Sequence, residues 1–129
     1  MVGFEERRRE KRLRYHWPVW YAEDFSDELF QGQMVDVSSG GAAFTCRVGE
    51  ASPYEGQDVT TRFSVPRFGR DESFDMASFT RSGKVCRVDN VNVFVRRVAM
   101  QFAEPLSFKP GEQLGGGAEE EKRMRAVTI

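Results

Sequence analysis

The chain has 129 residues, 40% hydrophobic, 12% aromatic and 30% charged, with 19 Lys+Arg against 20 Asp+Glu. That length gives one domain with a core of its own. The apolar content and a formal charge of -1 exclude a wholly disordered chain, a strongly basic binder and an acidic tail protein.

The first six residues lead straight into Arg7, Arg8 and Arg9 with no apolar stretch behind them, so no secretory signal is expected. Residues 7–14 (RRREKRLR) hold six basic side chains and one acidic one, a basic arm. From there the period is two, as in strands with one face on a core and one on water. Strands are expected near 15–23, 32–38, 41–48, 58–65, 76–88 and 92–103. An acidic cluster, Glu23-Asp24-Phe25-Ser26-Asp27-Glu28, follows the first of them. Val35 and Val37 share one face of the second, with Asp36 and Ser38 on the other. Ala42, Phe44, Cys46 and Val48 alternate with Ala43, Thr45 and Arg47 in the third. Breakers lie at 39–41, 52–56, 66–75 and 89–90, and Gly83 marks a bulge or bend in the long fifth strand. After Lys109 come Pro110-Gly111 and three glycines, Gly115 to Gly117. The polar segment behind them could pair Glu119 with Arg123 and Glu121 with Arg125 in a short helix, or remain frayed.

Short strands with tight turns and no long amphipathic helix give an all-β fold, a six-stranded antiparallel β-barrel or sandwich that closes its own edges. The expected division is a basic arm over 1–14, a barrel over 15–108 and a flexible or short helical tail over 109–129. Trp17, Trp20, Phe44, Phe63 and Phe102 read as core. Cys46 and Cys86 lack CxxC spacing and read as reduced residues in or near the core, which suits a cytoplasmic protein. The single histidine, His16, reads as a surface or half-buried strand residue and gives no basis for a histidine metal site or a catalytic triad. Ser38 has no histidine base, and no phosphate-loop pattern accompanies Gly40 and Gly41, so neither an enzyme nor a cofactor or metal is expected. No apolar run nears the roughly 20 residues of a spanning helix, so membrane insertion is not expected either.

Two features carry chemistry. Arg8 and Arg12 stand four apart, and guanidiniums held near one another match phosphate oxygens bidentately and can stack on a base. An RxxxR pair is also the pattern of a solvated basic arm. In Met34-Val35-Asp36-Val37-Ser38-Ser39-Gly40-Gly41, Asp36 and Ser38 project together at a strand end, and the glycines let the backbone turn and approach a ligand. A carboxylate, an acceptor with two oxygens, complements an edge with two N–H donors such as that of guanine. The same residues could instead do no more than close a β-turn.

Together, Arg8-x-x-x-Arg12, a strand with Pro18-Val19, and Asp36-x-Ser38-x-x-Gly41 resemble the paired signature of the PilZ domain, a family of bacterial six-stranded barrels that bind cyclic dimeric GMP. Ser82-Gly83-Lys84-Val85 and Val98-Ala99-Met100-Gln101-Phe102 resemble its later strands, so the likeness spans about residues 7–105. Ala99 stands where members often carry Gly, and the sequence after the barrel lacks the pattern of the C-terminal helix that members carry. The resemblance implies a receptor with no cofactor, whose ligand is cyclic-di-GMP. Arg8 and Arg12 would take phosphates and stack on guanine, Asp36 and Ser38 would contact a guanine edge, and Gly41 would supply the turn. Arg7, Arg9 and Gly40 adjoin these positions. It also implies a ligand-ordered arm that signals to an unidentified effector protein in motility, biofilm or exopolysaccharide control. Two other readings stand beside it: a small barrel that binds single-stranded nucleic acid, disfavoured by the short arm and near-neutral charge, and a ligand-independent protein-interaction module.

Overall fold

The computed structural model describes residues 10–24, 28–49, 52–68 and 74–113. Arg7 to Arg9 and the tail pairs beyond Gly117 lie outside the described residues. Seven strands follow in order: β1 (Leu13–Arg14), β2 (Pro18–Ala22), β3 (Phe30–Val37), β4 (Gly41–Arg47), β5 (Asp58–Phe68), β6 (Phe74–Asn90) and β7 (Val95–Phe102), then a 3-10 turn at Pro110–Glu112. Six of them form one antiparallel cycle, β3-β2-β5-β6-β7-β4, closed by the β3–β4 pair, with β1 outside the cycle. Closure leaves no free edge among those six, and the expected six-stranded barrel is what the chain forms.

Of the expected first strand at 15–23, β2 forms over Pro18–Ala22, and β1, two residues of the expected arm, lies on the same edge of β3. Leu13 pairs with Val37 and Arg14 with Asp36, whereas Pro18 pairs with Gln33, one residue out of step. The irregular residues between them still bond to β3, Tyr15 N–H to Val35 O at 3.1 Å and Met34 N–H to Trp17 O at 2.7 Å. On the other edge of β3 a bulge falls between Met34 and Asp36. Val35 is the extra residue there, so Met34 and Val37 are the fully buried pair and the simple alternation expected for Val35 and Val37 fails.

Inside the barrel lie Val19, Met34, Val37, Phe44, Val65, Val85 and Val98, all essentially inaccessible to solvent. Each such side chain contributes roughly 1.5–3 kcal/mol. Phe44 meets the Tyr21 ring at 5.2 Å, and Phe63 stacks on Phe102 at 5.7 Å. Two hydroxyls drawn inside are paired: Tyr15 Oη donates to Ser64 O at 3.0 Å and Thr61 Oγ1 to Arg81 O at 3.0 Å. Trp17 is half-buried against the core, but Trp20 and Val48 are exposed, contrary to expectation. Trp20 belongs to the outward set of β2, and Val48 lies just past the end of β4. Cys46 is a buried free thiol, while Cys86 is free and exposed, because it follows the inward Val85 and so turns outward, at a bulge between Val85 and Arg87.

Gly83 is not the bulge. It pairs with Val59 on one side and Phe102 on the other, and a Cβ there would run into the carbonyl of Gln101. The breaker at 52–56 does turn on glycine: Gly56 has φ +89° and its N–H donates to Val85 O at 2.8 Å. Beyond β7 the chain passes back over the β3–β4 loop, with Phe102 N–H on Gly40 O at 2.8 Å and Leu106 N–H on Ser39 O at 2.7 Å. It then reaches the buried Pro110 and Gln113, whose amide takes Pro66 O at 2.8 Å. Among the described residues no helix is long and apolar enough to cross a membrane.

Candidate functional site

The two sequence features meet on the outer wall. Cross-strand partners point to the same side of a sheet, and the register aligns Asp36 with Arg14 on β1 and Ala43 on β4, Ala43 with Ala99 on β7, and Ala99 with Arg87 on β6. A second row runs from Thr45 through Arg97 to Asp89. Two alanines therefore form a low floor between Asp36 and Arg87, with arginines from four segments around it.

Asp36 is the centre of charge. It is only 6% exposed, yet each of its oxygens faces a cation: Oδ1 lies 3.7 Å from Arg12 Nη1 and Oδ2 lies 3.4 Å from Arg97 Nη2. A buried carboxylate needs such partners, since desolvation otherwise costs several kcal/mol. The bulge at Val35 keeps Asp36 outward while Val37 returns to the core. The guanidiniums remain partly in water, with Arg12 37% and Arg97 45% exposed, so both can also reach an arriving anion.

Ser38 follows at the end of β3. Its N–H donates to Gly41 O at 2.9 Å and its Oγ lies 3.4 Å from the same oxygen, the bonding of a tight turn. Gly41 begins β4 opposite Gln101, where a Cβ would meet the backbone carbonyl of Met100. The missing side chain there is required by strand packing. Gly40 is exposed, with open space around its Cα. Arg12 and Asp36 are thus brought together, with Ser38, Gly40 and Gly41 in the adjoining turn, and Arg8, Arg7 and Arg9 lie outside the described residues.

Arg97 and Glu10 were not singled out from the sequence. Arg97 sits on the outward set of β7, a pattern visible in 95–102, but its distance of 61 positions from Asp36 hides the pairing. Glu10 bonds the turn itself, through Ser39. Concave spaces of about 380 Å³ beside Pro18 and Gly32 and about 400 Å³ around Tyr21 and Tyr54 include neither Asp36 nor the arginines around it. On this outer wall Asp36 and Ala43 are themselves buried. Among the described residues no group of three His, Cys, Asp or Glu side chains gathers as metal ligands do.

A search of curated proteins finds no match. Among solved structures, the Bacillus subtilis inhibitor of motility (MotI/DgrA) aligns at 13% identity with a TM-score of 0.58. The alignment covers 93% of this chain and 48% of that one, so this chain spans about half its length. The PilZ domain of YcgR from Escherichia coli, with c-di-GMP, aligns at 13% identity over 94% of this chain and 88% of that one, with a TM-score of 0.48. The family model described as PilZ domain matches residues 6–117, most of the chain, barrel and wall included, and the chain therefore belongs to the PilZ domain family.

Proposed function

We propose that this wall binds cyclic dimeric GMP and that the protein is a receptor for it. The observation that carries the reading is the convergence of Arg12, from the first motif, on Asp36, from the second, with Arg97 completing the cluster. The ligand is a compact ring with two phosphate charges and two guanines. Arg12, with Arg8 four residues before it, would take phosphate oxygens and stack on a base, while Asp36 accepts the paired N–H donors of a guanine edge. Ionised hydrogen bonds are worth roughly 1.5–3 kcal/mol each, so a handful, net of association costs, supports micromolar or better affinity.

On this reading the apo protein holds its cations on Asp36, and binding shares or transfers Arg12 from that carboxylate to a phosphate. Movement of the arm would then change the surface offered to an effector protein, with control of motility as one output by analogy with the inhibitor of motility. Calorimetry with cyclic dimeric GMP, its linear dinucleotide and a short single-stranded RNA tests the class, on wild type and Arg12→Ala. Preferential binding of the cyclic compound, weakened at least about tenfold in a folded Arg12→Ala protein, is expected. Equal binding of the RNA, or unchanged affinity in the variant, would overturn the reading.

A further inference from the structure

Glu10 is the midpoint of the RxxxR pair, two positions from Arg8 and two from Arg12. Its charge is opposed to any arriving phosphate, so it can help the site only through what it holds. What it holds is the β3–β4 turn. Glu10 Oε2 accepts the Ser39 N–H at 2.7 Å and Oε1 accepts the Ser39 Oγ–H at 2.6 Å. These lengths are those of charge-assisted bonds. Ser39 is next to Ser38 and three residues from Asp36, so the grip is on the loop that carries the second motif.

The opposite side of the arm is held as well. Lys11 N–H lies 3.3 Å from Glu112 Oε2. Gly111 packs against the backbone of Lys11 and Arg12 so closely that any Cβ would collide with it. The arm is thus seated between the turn at 38–41 and the turn at 110–112, and the Glu10 carboxylate is its two-pronged attachment to the first. Two residues of chain span at most about 7 Å, so a pin at Glu10 restricts Arg12.

We infer that Glu10 is a positioning residue: it fastens the arm to Ser39 so that Arg12 stands over Asp36 before ligand arrives. This rests on the cyclic dinucleotide reading. Ligand then pays less of the entropy of ordering the arm.

The test is calorimetry with cyclic dimeric GMP, paired with amide hydrogen exchange on the ligand-free protein. Glu10→Ala is expected to weaken binding about tenfold, or about 1.4 kcal/mol. Ser39→Ala keeps the backbone bond and is expected to weaken it about threefold, and the double variant no further than Glu10→Ala alone. Glu10→Gln removes the charge but keeps a carbonyl for the Ser39 N–H, and its amide can donate to Oγ. It should recover most of the affinity. Ligand-free Glu10→Ala should exchange faster at Lys11, Arg12 and Ser39. Unchanged or higher affinity in Glu10→Ala, or a Glu10→Gln as weak as Glu10→Ala, would overturn the inference. If wild type binds no cyclic dinucleotide, the proposed function fails, and unchanged exchange at those three amides would separately overturn the fastening.

Discussion

Replacing Asp36 by Asn separates what the carboxylate does for the barrel from what it does for a ligand. The substitution keeps shape and one acceptor oxygen, removes the charge and turns an NH2 toward one of two guanidiniums. At 4 Å a unit pair is worth about 4 kcal/mol at an effective dielectric constant near 20 and about 1 kcal/mol in water. Arg12 and Arg97 are 37% and 45% exposed, so screening places their pairs with Asp36 toward the aqueous end. At about 0.5–1 kcal/mol each, the two together contribute about 1–2 kcal/mol, and relief of carboxylate desolvation offsets part of that loss. Asp36→Asn should therefore lose about 1 kcal/mol in urea unfolding, a shift of about 5 °C in Tm. Its cost to cyclic dimeric GMP binding should be larger, because a charge-assisted contact of roughly 1.5–3 kcal/mol disappears, weakening Kd about 10- to 150-fold by calorimetry. A folded Asp36→Asn protein with wild-type affinity would refute the assignment. A stability loss of several kcal/mol would refute the screening argument, since it would make Asp36 a structural centre.

Arg97→Ala leaves Asp36 with Arg12 alone and should weaken ligand binding about fivefold by calorimetry, with less than about 1 kcal/mol lost in stability. Gly41→Ala should cost about 1–3 kcal/mol in denaturant unfolding, because the Met100 carbonyl occupies the Cβ position. Gly40→Ala, one residue earlier in open space, should stay within about 0.5 kcal/mol of wild type. Equal effects at the two positions would mean that the strand approach is not what requires Gly41. Burial raises the Tyr15 hydroxyl above its ordinary value near 10, and burial followed by the neighbouring Cys46 raises that of Tyr21. Burial also raises the Cys46 thiol from its ordinary value near 9. The folded state keeps protons that the unfolded chain releases, so stability should hold up to about pH 9 and fall steadily above it, followed by urea midpoints between about pH 8 and 12. Stability that rises over that range would contradict the burial of these groups.

The strands were legible because period-two patterning is local: each of β3 to β7 overlaps a segment read from alternation and breakers alone. What escaped was what one extra residue does to that period. Val35 is the bulge residue of the β3–β4 pair, and there the expected facing fails. Gly83 and Gly41 each stand where a neighbouring strand's carbonyl fills the space of a side chain. That demand comes from a partner strand and leaves no mark in the glycine's own neighbourhood. The site divides the same way. Asp36 and Ser38 were visible because a strand end, a carboxylate and two glycines coincide within six residues. Arg97 and Glu10 act on residues 61 and 29 positions away, and only the register brings them near.

The near-equality of 19 cations and 20 anions bears on selectivity once the wall is laid out. Around the alanine floor stand Arg12, Arg14, Arg87 and Arg97, but Asp36 takes two of them and Asp89 binds Arg87 at 2.9 Å. The wall offers partly neutralised cations and little net field. A long polyanion gains from field and from release of many counterions, and finds little of either here. A small dianion that also brings guanine donors gains at the same spot, because it supplies Asp36 with new N–H partners as its phosphates draw Arg12 away. The exchange is nearly charge-neutral at each atom, so its salt dependence should be shallow, at most that of about two phosphates. A steep slope measured for cyclic dimeric GMP would mean that the arginines act as a field, and the pairing with Asp36 would then be incidental to binding.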